Sequence, residues 1–175
     1  MRVRILGCGT STGVPKIGDD WGKCDPNEPR NYRLRSSILV ESGNARVLVD
    51  CGPDLRQQLL TAQIGGVDAV VVTHDHGDHV HGIDELRPLA QAIDRPVPVF
   101  SDEATLASLR QRFAYAFAQT EFYRPIVEGR VLTGKEYFGE ATLRIAKQPH
   151  GTMTTLGLRF DEGERSLSYA IDFNE

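Results

Sequence analysis

Residues 73–79, Thr-His-Asp-His-Gly-Asp-His, are the most informative segment of this sequence. It follows residues 69–73, a run of small and β-branched side chains that predicts a buried strand delivering a loop. Imidazole and carboxylate side chains on one such loop suit zinc, manganese or iron. A polar turn without metal is the alternative, but it leaves three of the five histidines of the chain unexplained. The potential ligands are His74, His76, Asp78 and His79.

The spacing His-x-His-x-Asp-His resembles the signature of the metallo-β-lactamase superfamily, and every ligand position of that signature is matched here. The resemblance implies an α/β fold, the αββα sandwich of two sheets with helices on both outer faces. It also implies two divalent metal ions, zinc or manganese. His74 and His76 are expected to bind the first ion, and Asp78 and His79 the second. Asp78 is further expected to orient or deprotonate a water between the ions.

The same resemblance implies two more ligands, each after a predicted strand late in the chain. His150 follows the alternating run at residues 142–146 and is the expected third ligand of the first ion. Asp172 follows residues 168–171 and is expected to bridge the two ions. Taken alone, His150 would more often be a surface residue of a Pro-Gly turn, and Asp172 would be a capping residue at a strand end.

The superfamily has one further histidine for the second ion, and no histidine follows His150 in this sequence. We therefore expect residues 1–175 to form a single domain that corresponds to the N-terminal and central part of the fold, truncated at its C-terminus. His81 is expected to face solvent or to support a ligand rather than to bind metal. An unfinished sandwich exposes apolar sheet surface, which favours a homo-oligomer.

Composition limits the class of protein. The chain has 175 residues, of which 40% are hydrophobic and 25% charged, as in an ordinary soluble domain. A net charge of −4 argues against a general nucleic-acid binder. No apolar run approaches the roughly 20 residues that cross a membrane, and the N-terminus lacks a signal peptide's apolar core, so we expect a cytoplasmic protein. The three cysteines form no CxxC pair, so we expect no disulfide framework.

Hydrophobic periodicity predicts strands and helices in alternation along the chain. One helix is predicted over residues 83–93, where Pro88 either lies in a first turn or breaks the element. A second, continuous helix is predicted over residues 103–117, capped by Ser101 or Asp102. The remaining predictions are a helix at 54–63 and strands at 2–6, 36–41, 46–50, 69–73, 97–100, 142–147, 156–160 and 167–171.

Two more segments narrow the resemblance to the phosphodiesterase branch of the superfamily: the glycine-rich loop at residues 6–15 and residues 79–88. They are similar to the phosphoribosyl cyclic phosphate phosphodiesterases of phosphonate metabolism and, more distantly, to ribonuclease Z. The implied reaction is hydrolysis of a small cyclic or nucleotide-like phosphodiester by a hydroxide that bridges the two ions. The early loop departs from that family, because Cys24 stands without the cysteine cluster that holds a structural zinc there. We therefore expect no structural zinc.

Several residues are candidates for supporting roles. Asp50 ends a predicted strand, where it is either an acceptor that fixes the tautomer of a ligand histidine or a simple turn residue. Arg33 and Arg35 are candidates for binding substrate phosphate through the guanidinium fork, with a solvated loop as the alternative. Two other functions stay open: another hydrolase of the fold, acting on a thioester, lactone or lactam, and a catalytically incomplete metal-binding fragment.

Overall fold

The larger of two sheets has six strands in the order β1-β2-β3-β4-β5-β6. The computed structural model describes residues 1–174. The first three strands pair antiparallel, and the last three join in parallel through helical crossovers. The strands are β1 (Arg2–Gly7), β2 (Ser37–Ser42), β3 (Ala45–Val49), β4 (Ala69–Val71), β5 (Val97–Ser101) and β6 (Val127–Val131).

The smaller sheet is an antiparallel meander of four strands in the order β10-β9-β8-β7. Its two central strands are long because their register continues without a break from the pair Thr142–Asp161 to the pair His150–Met153. The strands are β7 (Lys135–Phe138), β8 (Ala141–His150), β9 (Met153–Glu162) and β10 (Arg165–Tyr169).

Side-chain alternation along the strands of the larger sheet builds two separate cores. In β3, Val47 and Val49 point into the core between the two sheets, whereas Leu48 points into the core beneath the helices. In β4, Val70 joins the helical core and Val71 the inter-sheet core. This period of two is what a strand covered on both faces requires, and it explains why β3 and β4 consist of apolar residues throughout.

The helices of residues 1–174 all pack on one face of the larger sheet. Their buried side chains belong to the helical core, and none belongs to the core between the sheets. Within the described residues the layers are therefore helix, sheet and sheet, which confirms the expected α/β fold with two sheets; a helical layer on the smaller sheet is not among these residues. The helices are α1 (Leu55–Thr61), α2 (Gly77–Val80), α3 (Arg87–Ala92), α4 (Glu103–Arg112) and α5 (Ala114–Phe117). None of them is long and apolar enough to cross a membrane.

Two predicted helices are divided in the structure. The segment at 83–93 consists of a 3-10 turn, Ile83–Leu86, and then α3, with Pro88 in the first turn of α3. Proline is tolerated there because its missing N–H has no partner in a first turn. The helix predicted over 103–117 ends at Arg112, and Phe113 adopts φ −121° and ψ 39° before α5 begins. Strands β6 and β7 were not predicted, because their residues are mixed in polarity and only pairing with β5 and β8 orders them.

The topology brings several strand ends to one edge of the molecule. Strands β3, β4 and β5 run parallel, so their C-terminal ends share that edge. Strands β8 and β10 both pair antiparallel to β9, so their C-terminal ends also coincide. The backbone N–H of Leu156 in β9 donates to the carbonyl of Thr73 at 2.9 Å and joins the two sheets here. Every loop with a predicted metal ligand therefore emerges at this edge.

Candidate metal centre

The loop after β4 carries four of the predicted ligands, and the backbone holds it tightly. His76 precedes α2 as its N-cap residue, and the N–H of His79 donates to the carbonyl of His76 at 3.0 Å. The carbonyl of His79 accepts from the N–H of Cys51 at 2.8 Å, which ties the loop to the end of β3. His74 and His79 are almost fully buried, with 0% and 1% of their surface exposed. The loop therefore presents its histidines from a rigid support.

Three imidazole rings converge in a first group, His74, His76 and His150, whose ligand atoms lie within 4.8 Å of one another. Nε2 of His74 and Nε2 of His150 each lie 3.1 Å from Nδ1 of His76. Nδ1 of His150 faces the side-chain oxygen of Asn174 at 3.4 Å, so the proton of that ring belongs on Nδ1. The nitrogen that faces the group is then free to bind a cation.

A second group contains His74, His79 and Asp172. Oδ2 of Asp172 lies 2.9 Å from Nε2 of His79 and 3.6 Å from Nε2 of His74. The carboxylate of Asp78 approaches Nε2 of His79 from another side, at 3.2 Å. The sequence assigned His74 to the first ion alone, whereas the structure makes it a member of both groups. Asp172 is a member of the second group and also lies near His74, the residue that the two groups share.

One buried carboxylate, Asp50, orients both buried histidines. Its Oδ1 accepts the N–H of Thr73 at 2.8 Å, and its Oδ2 accepts Nδ1–H of His79 at 2.9 Å. The Thr73 hydroxyl lies 3.0 and 3.1 Å from the two carboxylate oxygens and 3.0 Å from Nδ1 of His74. A carboxylate only accepts, so the hydroxyl donates to Asp50 and accepts Nδ1–H of His74.

The consequence is that both rings donate from Nδ1 and turn Nε2 towards Asp172. Sequence reasoning found Asp50 but missed Thr73, whose position directly before His74 was the only signal. It also missed Thr155, whose hydroxyl lies 3.4 Å from Nδ1 of His74 across the two sheets. Thr155 lies 81 residues away in the chain, and no pattern in the sequence relates the two.

The charges around the two groups differ. Burial, together with the neighbouring His79 and His76, lowers the pKa of His74 to about 4, so this ring is neutral and its lone pair is available. Burial opposes protonation of His79 as well, but the hydrogen bonds to Asp50 and Asp78 outweigh it and raise its pKa to about 10. The hydrogen bond from His79 lowers the pKa of Asp78, which is therefore ionised at neutral pH.

This donor set fits divalent metal ions. In the first group three imidazole nitrogens converge, with Nε2 of His74 and Nε2 of His150 each 3.1 Å from Nδ1 of His76. The second group combines two histidines with the Asp172 carboxylate, and the Asp78 carboxylate lies beside it. This is a mixed nitrogen and oxygen set of the kind that zinc and manganese accept. His74 and His79 each donate a hydrogen bond from Nδ1, the ring nitrogen that points away from the site. Metal-binding histidines commonly make such a hydrogen bond.

The predicted substrate-binding arginines do not join the two groups. Arg35 forms an ion pair with Asp54 at 2.7 Å and donates to the carbonyl of Ser11 at 3.2 Å, so its guanidinium holds the glycine-rich loop in place. Arg33 lines a separate groove of about 600 Å³ with its Nη1 3.0 Å from Sγ of Cys8. Among the hydrogen bonds and ion pairs of residues 1–174, neither arginine contacts a residue of the groups.

The family of the chain follows from comparison with known proteins. Residues 45–175, more than half of the chain, match the Beta-lactamase superfamily domain. The chain therefore belongs to the metallo-β-lactamase superfamily, in agreement with its two sheets and its histidine loop.

Two solved structures are similar to this chain. A crystal structure described as a new diphosphatase from the PhnP family is 34% identical, with a TM-score of 0.80, and the match covers 90% of this chain and 61% of that one. The Zn²⁺-bound PqqB of Methylobacterium extorquens has a TM-score of 0.72 at 22% identity over 97% of this chain and 64% of that one, and shares the fold.

Curated relatives carry two different names. The octanoyltransferase of Porphyromonas gingivalis (strain ATCC BAA-308 / W83) is 41% identical over 166 residues, which are 93% of this chain and 33% of that protein. Ribonuclease Z of Exiguobacterium sp. (strain ATCC BAA-1283 / AT1b) is 32% identical over 155 residues, which are 82% of this chain and 48% of that enzyme. The chain thus spans between a third and a half of the length of these two relatives.

Proposed function

We propose that the chain forms the metal site of a metal-dependent phosphodiesterase, which hydrolyses a small cyclic or nucleotide-like phosphodiester with two divalent ions, zinc or manganese. The convergence of the two ligand groups at one edge of the molecule is the observation that carries the proposal. Similarity to a diphosphatase and to ribonuclease Z adds support for phosphate chemistry. We also propose that residues 1–175 form one domain, because the core between the sheets takes side chains from both.

The proposed ligands divide between the two ions. His74, His76 and His150 would hold the first, and Asp78 and His79 would hold the second. Asp172, which contacts His79 and lies near the shared His74, would bridge the two ions. When bound, divalent ions at such a site lower the pKa of water from about 15.7 towards 7 and offset negative charge on the phosphoryl oxygens.

The side chains of the chain itself contribute orientation and proton acceptance. Asp50 fixes His79 directly and His74 through Thr73, so both rings direct Nε2 towards the site, and His79 would release its Nε2 proton when a cation binds. Asp78 is ionised at neutral pH and lies at the rim of the second group, where its carboxylate can accept a proton from an attacking water. Asp172 is 41% exposed in its side chain, so its carboxylate also faces the solvent from which substrate arrives.

Metal content is the first test. We expect about two ions of zinc or manganese per chain, measured by elemental analysis after dialysis, and hydrolysis of bis(p-nitrophenyl) phosphate. His74→Ala should lose both the metal and the activity, because His74 belongs to both groups. Asp172→Asn should retain at most one ion. Asp68→Asn, an exposed carboxylate that accepts from the N–H of Arg46, is the matched control and should behave as wild type. A wild-type chain without metal would refute the proposal.

A second function is favoured by one specific observation, the 41% identity to a protein named octanoyltransferase. An octanoyltransferase transfers an acyl group. The same metal site is compatible with a related reaction, the hydrolysis of a thioester. Release of thiol from octanoyl coenzyme A, compared with hydrolysis of the phosphodiester and of a chromogenic β-lactam, separates the functions. Faster thioester cleavage, lost in His74→Ala, would replace the phosphodiesterase proposal.

A further inference from the structure

Arg112, the last residue of α4, contacts the ligand loop at Asp75 and the end of α2 at His81. Its Nη1 donates to the backbone carbonyl of Asp75 and lies 3.6 Å from the Asp75 carboxylate. Its Nη2 lies 2.9 Å from Nε2 of His81. A guanidinium only donates, so Nε2 of His81 accepts and the proton of that ring belongs on Nδ1. One side chain therefore contacts Asp75, which lies within the segment that carries four of the proposed ligands, and His81, which lies two residues after that segment.

The surroundings hold Arg112 in this geometry. Its guanidinium carbon lies 5.4 Å from the centre of the Phe113 ring, and the ring of His81 meets Phe113 edge to face at 5.9 Å. Ser108, one helical turn before Arg112 on the same face of α4, donates its hydroxyl to the Asp75 carboxylate. Asp75 is thus held by two side chains of one helix.

The ring of His81 also covers the backbone of the ligand loop. A Cβ atom added at Gly77 would lie 2.9 Å from Cε1 of His81, so the ring rests directly against that glycine. The N–H of His81 donates to the carbonyl of Gly77 at 3.0 Å and closes the last turn of α2. Fixing His81 therefore fixes the short helix that contains Asp78 and His79.

We propose that Arg112 is a positioning residue for the metal site, which presets the loop before a cation binds. This role rests on the proposed metal site. Asp75 lies between His74 and His76 in sequence, so anchoring its carbonyl and carboxylate restrains both neighbouring ligands. Anchoring His81 restrains the second pair of ligands through α2. Groups that orient metal ligands in this way change metal affinity or activity by roughly 10–100-fold when they are removed.

The test measures metal affinity directly and does not depend on enzymatic activity. Wild type and Arg112→Gln are titrated with Zn²⁺ in competition with a chromophoric chelator at constant pH. Arg110→Gln is the matched control, because Arg110 lies on the same helix but reaches the carbonyl of Gly129 and the Glu103 carboxylate instead of the loop. We expect Arg112→Gln to bind Zn²⁺ about 10–100-fold more weakly and Arg110→Gln to bind within about twofold of wild type.

Thermal unfolding of the metal-free proteins separates positioning from a general loss of structure. If Arg112 acts on the loop, Arg112→Gln and Arg110→Gln should unfold at similar temperatures without metal and differ only when Zn²⁺ is added. If Arg112→Gln instead binds Zn²⁺ as tightly as wild type, or if both variants lose the same affinity, the positioning role is wrong. A wild-type chain that binds no Zn²⁺ overturns the proposed function and this role together, whereas tight binding that survives Arg112→Gln overturns this role alone.

Asp75→Asn tests the same contact from the other partner and serves if Arg112→Gln does not fold. It keeps the backbone carbonyl but removes the carboxylate that Arg112 and Ser108 contact. We expect a weaker affinity for Zn²⁺ in this variant, and a loss in the double variant that is smaller than the product of the two single losses. Independent, multiplicative losses would show that Asp75 and Arg112 do not act as one unit and would contradict the proposal.

Discussion

Replacing Asp50 with asparagine removes one charge from the buried end of β3 and leaves shape and backbone unchanged. Asp50 has no exposed surface and a positive φ of 61°, a conformation that asparagine tolerates as well as aspartate does. Each carboxylate oxygen accepts from a buried donor, Oδ1 from the N–H of Thr73 and Oδ2 from Nδ1–H of His79. An amide has a single oxygen, so in either orientation its NH₂ group faces one of these donors.

The expected loss in the free energy of unfolding follows from the buried donor that asparagine leaves without an acceptor. A buried donor left without an acceptor costs about 1–3 kcal/mol, and removal of one partner from a buried charged pair costs about 3–5 kcal/mol. Because asparagine still satisfies part of the network, we expect Asp50→Asn to lower the free energy of unfolding by about 2–4 kcal/mol. With a urea m-value of about 2 kcal/mol/M, the unfolding midpoint should fall by roughly 1–2 M.

The assay is urea unfolding of metal-free protein followed by circular dichroism, with Asp68→Asn as the control. Asp68 is an exposed carboxylate that accepts one backbone N–H, so its loss should change stability by less than about 1 kcal/mol. The m-value should stay constant, which makes the shift in midpoint a shift in stability. An Asp50→Asn midpoint equal to that of Asp68→Asn would refute the account of Asp50 as the acceptor that orients His79.

Two further predictions concern the same end of the sheet. Burial and, to a lesser extent, the charge of Asp50 raise the pKa of the Cys51 thiol, whereas Cys8 is exposed. A thiol reagent should therefore modify Cys8 in the folded protein and Cys51 only after unfolding. Peptide mass spectrometry measures the modification of each cysteine. Gly52→Ala would put a Cβ atom 1.9 Å from the carbonyl oxygen of Asp78 and should destabilise the fold by about 1–3 kcal/mol or more. Gly66→Ala, with open space around it, should stay within about 0.5 kcal/mol of wild type in the same urea experiment.

Sequence patterns were most informative where a structural property depends on neighbouring residues. The apolar run before His74 predicted β4, and the motif itself indicated the superfamily to which the chain belongs. Prediction was weaker where ordering comes from distant partners: β6 and β7 have mixed polarity and become strands only by pairing with β5 and β8. The break at Phe113 was missed because it separates two helices that share one apolar pattern.

The same distinction applies to the candidate site. The spacing of His74, His76, Asp78 and His79 is a local property, so it was enough to predict that these side chains share one loop. The membership of His74 in both groups and the pairing of Arg35 with Asp54 depend on how distant segments pack, and no local pattern predicted them.

Contacts such as Thr155 with His74 and Arg112 with Asp75 also come from the tertiary structure alone, because they join residues 81 and 37 positions apart. They form only when the second sheet and α4 pack against the strand ends. A linear pattern carries no information about which distant side chains that packing brings within hydrogen-bond distance.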